Sequence, residues 1–231
     1  MHLCVFVLII RHNGPVWQLA WAHPKYGSLL ASCSYDGKVI VWREGGAQGQ
    51  FQKLAEHALH QASVNSVAWS PPEYGAMLLC SSSDGSVSVL ELREDGSWDT
   101  RTFTAHAVGC NSACWAPSSV PLSNNSASDS VDSIKRFATA GSDNLVKIWA
   151  FNSDTSSWDL EETLQGHTDW VRDVAWASNV GLPKSYLASA GQVSIIVLLF
   201  QSFSPLLKSF LLFYLLSGLF TSFIDSIGMI C

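Results

Sequence analysis

Short apolar runs alternate with polar turns along most of this chain, and the alternation is typical of β-strands. Residues 16–21, VWQLAW, alternate apolar and polar positions, as a strand with one buried face does. The run LLASCS, the turn YDG, the run KVIVW and the segment QFQKLAEH then follow in that order. We therefore expect four short antiparallel strands joined by tight turns.

This unit recurs along the chain. In four places a histidine is followed nine residues later by a tryptophan: His12 and Trp21, His60 and Trp69, His106 and Trp115, and His167 and Trp176. In three units an aspartate opens a turn, and a large apolar residue stands six residues beyond it: Asp36 and Trp42, Asp84 and Leu90, and Asp143 and Trp149. Repetition at roughly 40 to 50 residues predicts a propeller or a solenoid.

The third and fourth units depart from the pattern. A Ser/Asn-rich insertion at about residues 118–133 separates His106 from Asp143, and its composition predicts a solvated loop. The fourth unit begins as GHTDWVRDVAW and continues through YLASAGQ, but Val193 stands where the turn aspartate is expected. The repeat pattern therefore ends near residue 192.

Charge and cysteine usage exclude several classes of function. The net charge is −6, and no cluster of Lys and Arg is evident, so a nucleic-acid partner is not expected. Cys33 and Cys80 fall at matched or neighbouring strand positions, while Cys110 and Cys114 lack a metal-ligand CxxC spacing. We predict a reducing compartment and no metal site.

The two ends differ from the middle in composition. Residues 1–10, MHLCVFVLII, are apolar but too short for a spanning helix, and they lack the basic segment and cleavage site of a secretory signal. Residues 193–231 are mostly Leu, Phe, Ser and Ile, with only Lys208 and Asp225 charged. We therefore divide the chain into an apolar start (1–10), a repeat region (11–192) and a hydrophobic tail (193–231).

The hydrophobic tail has two interpretations. Residues 206–224 carry a single charge and are long enough to cross a hydrocarbon core of about 30 Å as a helix. Alternatively, Gln-Val-Ser at residues 192–194 could be encoded by a splice-donor sequence, and the residues that follow are those that a T-rich intron would encode. We favour intron read-through over a membrane-anchored form, and the sequence leaves both open.

From Arg11 to Gln192 the chain resembles the WD-repeat β-propeller family. In that family a loop histidine, a second-strand hydroxyl, the turn aspartate and the third-strand tryptophan are hydrogen-bonded to one another. The resemblance places complete networks at His12, Ser32, Asp36 and Trp42, and at His106, Thr139, Asp143 and Trp149. In the second unit Cys80 and Leu90 replace two of these groups, which leaves only His60 and Asp84 to pair. In the fourth unit His167 and Ser189 remain.

A catalytic reading of these groups is less favourable than a structural one. Serine, histidine and aspartate together could suggest a catalytic triad, but a nucleophile would occur once, beside an oxyanion site, and not in every repeat. The spacing of His57 and His60 could suggest a metal pair, but no third ligand is visible, and we interpret His57 as part of a solvated loop. We predict no enzymatic activity, no cofactor and no small-molecule substrate.

Several sequence segments within the repeats are more specific than the general WD pattern. HTDWVRDVAWASNVGLPKSYLAS, GPVWQLAW and WSPPEYG closely resemble the Sec thirteen family, the small propeller subunits of the outer COPII vesicle coat. The resemblance implies a non-enzymatic scaffold of endoplasmic-reticulum-to-Golgi protein transport and of the nuclear pore. It places the protein at the cytoplasmic face of the endoplasmic reticulum and at the nuclear envelope. A partner such as Sec thirty-one, or a nuclear-pore scaffold protein, completes the open propeller of that family by β-augmentation.

The family has a complete blade before HNGPVW and a further blade and a half after YLASAGQ. We therefore expect an all-β, incomplete WD-repeat β-propeller of about three to four blades that neither closes nor binds the coat partner stably. Two other functions stay open. One is a different WD-repeat adaptor, either the related nucleoporin or a nutrient-signalling subunit, and the other is a membrane-anchored variant.

Overall fold

The computed structural model describes residues 11–45, 50–118, 134–178 and 185–193, and also the backbone of 196–201 and 209–213. The apolar start (1–10) and almost all of the predicted insertion lie outside the described residues. Within them the chain forms antiparallel strands and two short 3-10 turns, at Pro24–Tyr26 and Pro72–Tyr74. The predicted all-β class of an incomplete propeller is confirmed.

Sixteen described strands form four sheets of four, which we call blades 1 to 4, and in each sheet neighbouring strands follow one another in sequence. Blade 1 contains β1 (Val16–Trp21), β2 (Leu29–Ser34), β3 (Val39–Glu44) and β4 (Phe51–His57). Blade 2 contains β5 (Val64–Trp69), β6 (Met77–Ser82), β7 (Ser86–Leu92) and β8 (Trp98–Thr104). Blade 3 contains β9 (Cys110–Trp115), β10 (Arg136–Gly141), β11 (Leu145–Asn152) and β12 (Ser157–Gln165). Blade 4 contains β13 (Val171–Trp176), β14 (Ser185–Gly191), β15 (Ile196–Gln201) and β16 (Ser209–Phe213).

The chain divides into two compact units, Met1–Asn111 and Ser112–Cys231. The first unit contains blades 1 and 2, and its core joins the two sheets. Small and β-branched residues of blade 1 pack against apolar residues of blade 2: Ala31, Cys33, Val39 and Val41 against Val64, Val67, Leu78, Cys80 and Leu90. Burial raises the pKa of the Cys33 thiol to about 12, so Cys33 behaves as a small apolar core residue.

The second unit contains blade 4 and nearly all of blade 3. Its core repeats the arrangement of the first, with small and β-branched residues of blade 3 packed against residues of blade 4: Ala138, Ala140, Val146 and Ile148 against Val171, Val174, Trp176 and Leu187. Both units therefore bury apolar surface in the same way, between one blade and the next.

The turns between second and third strands require left-handed backbone. Gly37 has φ +78° in the turn of blade 1, and Gly85 has φ +83° in blade 2. Asn144 takes the equivalent position in blade 3 with φ 66°, and asparagine tolerates this conformation better than most residues. The aspartate before each of them accepts the backbone N–H two residues on, which holds the turn closed.

The tail supplies two strands to blade 4. β15 pairs with β14, with Ser189 opposite Val197, and β16 pairs with β15. The sheet therefore does not end at Gln192. Of the predicted spanning helix at 206–224, the structure describes only Ser209–Phe213, which forms a strand instead of a helix, and the remainder lies outside the described residues. A strand on this edge satisfies backbone groups that β14 would otherwise leave unpaired. No helix among the described residues is long and apolar enough to cross a membrane.

Candidate functional site

The four groups expected in blade 1 lie together. His12 precedes β1, Ser32 lies on β2, Asp36 opens the turn and Trp42 lies on β3. The distance from His12 Nε2 to Ser32 Oγ is 2.8 Å, and the distance from His12 Nδ1 to Asp36 Oδ2 is 3.1 Å. Trp42 Nε1 donates to Ser32 Oγ at 3.0 Å. The network joins the loop, both central strands and the turn of one blade.

The His12 tautomer with its proton on Nδ1 fits this network. Its Nδ1–H donates to the Asp36 carboxylate, so Nε2 accepts from the Ser32 hydroxyl, which in turn accepts from the Trp42 indole. Ser32 is buried, and its hydroxyl is used within the blade. A buried hydroxyl with this arrangement stabilises the fold and is not presented to a substrate.

Asp36 is the charged member of the network. Burial raises its pKa, but donation from the Asn13 and Lys38 backbone N–H groups and from His12 lowers it more, so the net pKa lies below its ordinary value. The N–H of Asn13 donates at 2.8 Å and that of Lys38 at 3.0 Å. The folded state therefore favours the ionised carboxylate.

Blade 2 corrects one expectation. His60 was expected to have only Asp84 as a partner, but its Nδ1 lies 2.9 Å from Ser86 Oγ and its Nε2 lies 2.9 Å from Ser88 Oγ. Ser88 stands directly opposite Cys80 in the ladder, so β7 supplies the hydroxyl that β6 lacks. Ser86 donates to Asp84, whose carboxylate lies 3.5 Å from His60 Nδ1.

The sequence contains a signal for these two partners. Ser86 and Ser88 alternate with valines at the start of the strand SVSVLEL, and Ser88 is fully buried. A buried hydroxyl needs a partner, and His60 provides one. Burial lowers the pKa of His60, and the Asp84 charge offsets only part of that effect.

In blade 3 the expected tryptophan and threonine are hydrogen-bonded, and the expected aspartate holds the turn. Trp149 Nε1 donates to Thr139 Oγ1 at 3.1 Å. Asp143 accepts the backbone N–H of Leu145 at 3.3 Å and lies 4.0 Å from Lys147 Nζ. His106, which belongs to the first unit, is almost completely buried.

Blade 4 holds the histidine and the serine without an aspartate. His167 Nε2 lies 2.7 Å from Ser189 Oγ. Gly191 lies against the other side of the ring, where an added Cβ would stand 2.6 Å from His167 Nδ1. Burial lowers the pKa of His167. Val193, at the position expected for the aspartate, is exposed.

The interpretation of His57 as a solvated-loop residue is wrong. β4 extends to His57, which stands opposite Val39 and is half-buried. Its ring meets Trp98 edge-on at a centroid distance of 5.2 Å, and its Nε2 is buried without a hydrogen-bond partner among the described residues. Burial lowers its pKa. The described residues contain no group of three or more His, Cys, Asp or Glu arranged to bind a metal ion.

Comparison with known proteins agrees with this architecture. The sequence profile of the family described as WD domain, G-beta repeat matches residues 3–43, 51–90 and 158–192, which together make half of the chain. The chain belongs to the WD-repeat family. Each matched segment in this WD-repeat protein ends in or next to the second or third strand of a blade. β9, β10 and β11 of blade 3, the strands around the insertion, lie outside the matched ranges.

Relatives with curated names are similar over most of this WD-repeat protein. The Protein transport protein SEC13 of Yarrowia lipolytica is 58% identical over 191 residues, which covers 80% of this chain and 61% of the relative. The proteins of the same name from Cryptococcus neoformans and Debaryomyces hansenii are 48% and 56% identical. Each also matches 80% of this chain, which covers 60% and 61% of their own lengths. The chain thus spans about three fifths of the length of these relatives.

Proposed function

We propose that this WD-repeat protein is a non-enzymatic scaffold of the COPII vesicle coat in endoplasmic-reticulum-to-Golgi protein transport. Its proposed partners are the outer-coat protein Sec thirty-one and, at the nuclear envelope, nuclear-pore scaffold proteins. The proposed sites of action are the cytoplasmic face of the endoplasmic reticulum and the nuclear pore. The observation that carries the proposal is the similarity of this chain to proteins named Protein transport protein SEC13.

The chemistry of the histidine networks supports a scaffold. The hydroxyls that could act as nucleophiles, Ser32 and Ser88, are buried and hydrogen-bonded to the histidine of their own blade. Each network replaces hydration lost on folding, and an unpaired member would cost about 1–3 kcal/mol. In this proposal the site residues hold together the strands of their own blade, and partners dock on the blade surfaces.

A chimera tests the transport role directly. Residues 11–192, the proposed repeat region, would replace the matching segment of the Yarrowia lipolytica relative in cells depleted of their own copy. We expect the chimera to restore secretion of a reporter and to recover Sec thirty-one on purification. The unmodified 231-residue chain would be tested beside it and should restore less.

The control is an equally long segment from an unrelated WD-repeat protein in the same position. If the control restores secretion as well as the chimera, the assay reports only the fold. If neither does, the transport role is contradicted. Recovery of a nucleoporin or of nutrient-signalling proteins in place of Sec thirty-one would assign the chain to another adaptor class.

A further inference from the structure

The same blade-to-blade contact occurs once in each unit. In the first unit, Val64 and Val67 on the innermost strand of blade 2 pack against Ala31 and Cys33 of blade 1. In the second unit, Val171 and Val174 of blade 4 pack against Ala138 and Ala140 of blade 3. We call the surface of a blade that carries the residues equivalent to Val64 and Val67 its front face, and the opposite surface, which carries the small second-strand residues, its back face. Each contact joins the front face of one blade to the back face of the blade before it.

A backbone contact accompanies this packing in the first unit. Trp69 on the front face of blade 2 donates its indole N–H to the carbonyl of Ala20 at 3.0 Å. The Val67 N–H donates to Gln18 Oε1 at 2.8 Å. In the first unit the front face of blade 2 therefore carries a tryptophan donor and branched apolar residues, and the back face of blade 1 offers small side chains and acceptors.

The front face of blade 1 is exposed. Leu19 is 58% exposed, whereas its equivalents Val67 and Val174 are 2% and 3% exposed. Trp21 is 60% exposed, while the equivalent Trp176 is 7% exposed. Val16, at the start of the strand, is 47% exposed. An apolar patch of this kind on a soluble surface is typical of an interaction site.

The back face of blade 4 has the complementary character. Ala188 and Ala190 of β14 are partly exposed, whereas the equivalent Ala31 and Cys33 of blade 1 are fully buried. Ala175 of β13, the equivalent of Ala20, is also partly exposed. These positions have the small side chains that a front face requires.

We propose that two copies of this chain associate head to tail, the front face of blade 1 in one copy packing on the back face of blade 4 in the other. The occupant is a second copy because the chain itself carries both halves of an interface that it already forms twice. A contact between two different faces is heterologous, so it closes a ring or extends into a chain according to the rotation between copies. This inference is independent of the coat role, since it rests on the two faces alone.

The test measures the mass of the purified 231-residue chain by sedimentation over a wide range of concentration. The expected result is concentration-dependent association above the 25.2 kDa monomer. Leu19→Asp places a charge on the front face, and Ala188→Asp places one on the back face. Because each buries an unpaired charge at the contact, each variant alone should weaken association by about tenfold or more.

Mixing the two variants identifies the faces. The Leu19→Asp copy keeps an intact back face and the Ala188→Asp copy an intact front face, so an equimolar mixture should form a one-to-one complex that neither variant forms alone. Leu160→Asp is the matched control, since Leu160 is an exposed apolar residue of β12 in blade 3 and belongs to neither face. It should associate like the unchanged chain.

Circular dichroism of each variant shows whether it is folded, and Val16→Asp and Ala190→Asp probe the same two faces if the first pair is not. A monomeric unchanged chain at every concentration would overturn the proposal. A mixture that stays monomeric would overturn it as well, as would a loss of association in Leu160→Asp equal to that in Leu19→Asp.

Discussion

Ser32 is the residue on which the blade 1 network depends, because it contacts both His12 and Trp42. Ser32→Ala would leave the imidazole Nε2 and the indole N–H buried without a partner. We expect the free energy of unfolding to fall by about 1–3 kcal/mol, measured by urea denaturation. Ser153→Ala, at an exposed turn position, is the matched control and should change stability little. Equal losses in the two variants would contradict a structural role for the Ser32 hydroxyl.

The burial of His57 makes the stability of the folded chain depend on pH. Burial lowers the pKa of His57 below its ordinary value of 6.5, so the unfolded chain binds more protons than the folded chain in that range. Stability should therefore be complete above about pH 6.5 and should decrease as the pH falls below it. His60 and His167 have lowered pKa values for the same reason and act in the same direction. Asp36, whose pKa lies below its ordinary value of 3.8, adds a second loss at more acidic pH.

His57→Phe separates the contribution of His57 from the others. Phenylalanine keeps the ring contact with Trp98 and removes a buried nitrogen that has no partner among the described residues. We expect the variant to be as stable as the unchanged chain near neutral pH and more stable below pH 6.5, by thermal denaturation across pH. If the variant loses stability below pH 6.5 as the unchanged chain does, His57 is not responsible for that loss.

At the scale of elements, the hydroxyl that contacts His60 Nε2 in blade 2 lies on β7 and not on β6. Ser88→Ala removes the partner of His60 Nε2 and should destabilise the chain by about 1–3 kcal/mol. Adding Cys80→Ser restores a hydroxyl on the opposite strand, at the position that Ser32 occupies in blade 1. The double variant should recover part of the lost stability, measured as a double-mutant cycle with Cys80→Ser alone. Additive losses of stability in the cycle would show that a hydroxyl on β6 does not replace the one on β7.

Two glycines of blade 1, Gly37 and Gly27, allow backbone strain and steric overlap to be measured separately. Gly37→Ala forces a left-handed φ on alanine and places a Cβ 3.1 Å from the carbonyl oxygen of His60. Gly27→Ala forces a similar φ, but a Cβ there meets no atom within 4 Å. The Gly27 variant should lose about 1–2 kcal/mol from strain alone, and the Gly37 variant should lose more. Calorimetry of the two variants shows which is less stable. Equal losses of stability would contradict a steric overlap with the His60 carbonyl.

The roles of residues were predictable where a repeat keeps the same residue types, and less so where a substitution moves a role to the neighbouring strand. The spacing from His12 to Trp42 groups four residues that the structure brings together. Ser88 stands opposite Cys80 as Ile40 stands opposite Ser32 in blade 1, so the repeat gives its position but assigns no polar role to it. His57 illustrates a boundary effect, since one further residue of pairing in β4 moves it from a loop to the packed surface.

At the scale of the whole molecule, the tail is the part that the repeat pattern did not predict. Its composition favoured a membrane helix or a translated intron, yet its described residues form β15 and β16 of blade 4. Apolar runs rich in Leu, Ile and Phe can form a helix or a strand, and here the unpaired edge of β14 favours the strand. Composition does not decide between helix and strand here because it does not include the neighbouring strand, and both interpretations of the whole tail stay predictions.

Truncation after Val193 tests the contribution of the tail. Without β15 and β16, β14 becomes an edge strand, and its outward backbone groups have no partners in the sheet. We expect amide hydrogen exchange in β13 and β14 to accelerate, while exchange in blades 1 and 2 of the first unit stays unchanged. Equal protection of β14 with and without the tail would show that these pairings contribute little. The comparison of blades within one sample serves as the internal control.

The polar networks of blades 1, 2 and 4 are each contained within a single blade: His12 with Ser32, His60 with Ser88 and His167 with Ser189. A gene duplication that copies one blade therefore copies a polar network complete with its partners. The new neighbour then has to provide apolar contact and a few hydrogen bonds such as that from Trp69 to the Ala20 carbonyl, but no partner for the buried histidine. Apolar contact tolerates substitution more readily than directed hydrogen bonds do. Propellers of different blade number can thus arise by gain or loss of whole blades, without a stage in which a buried histidine loses its partner.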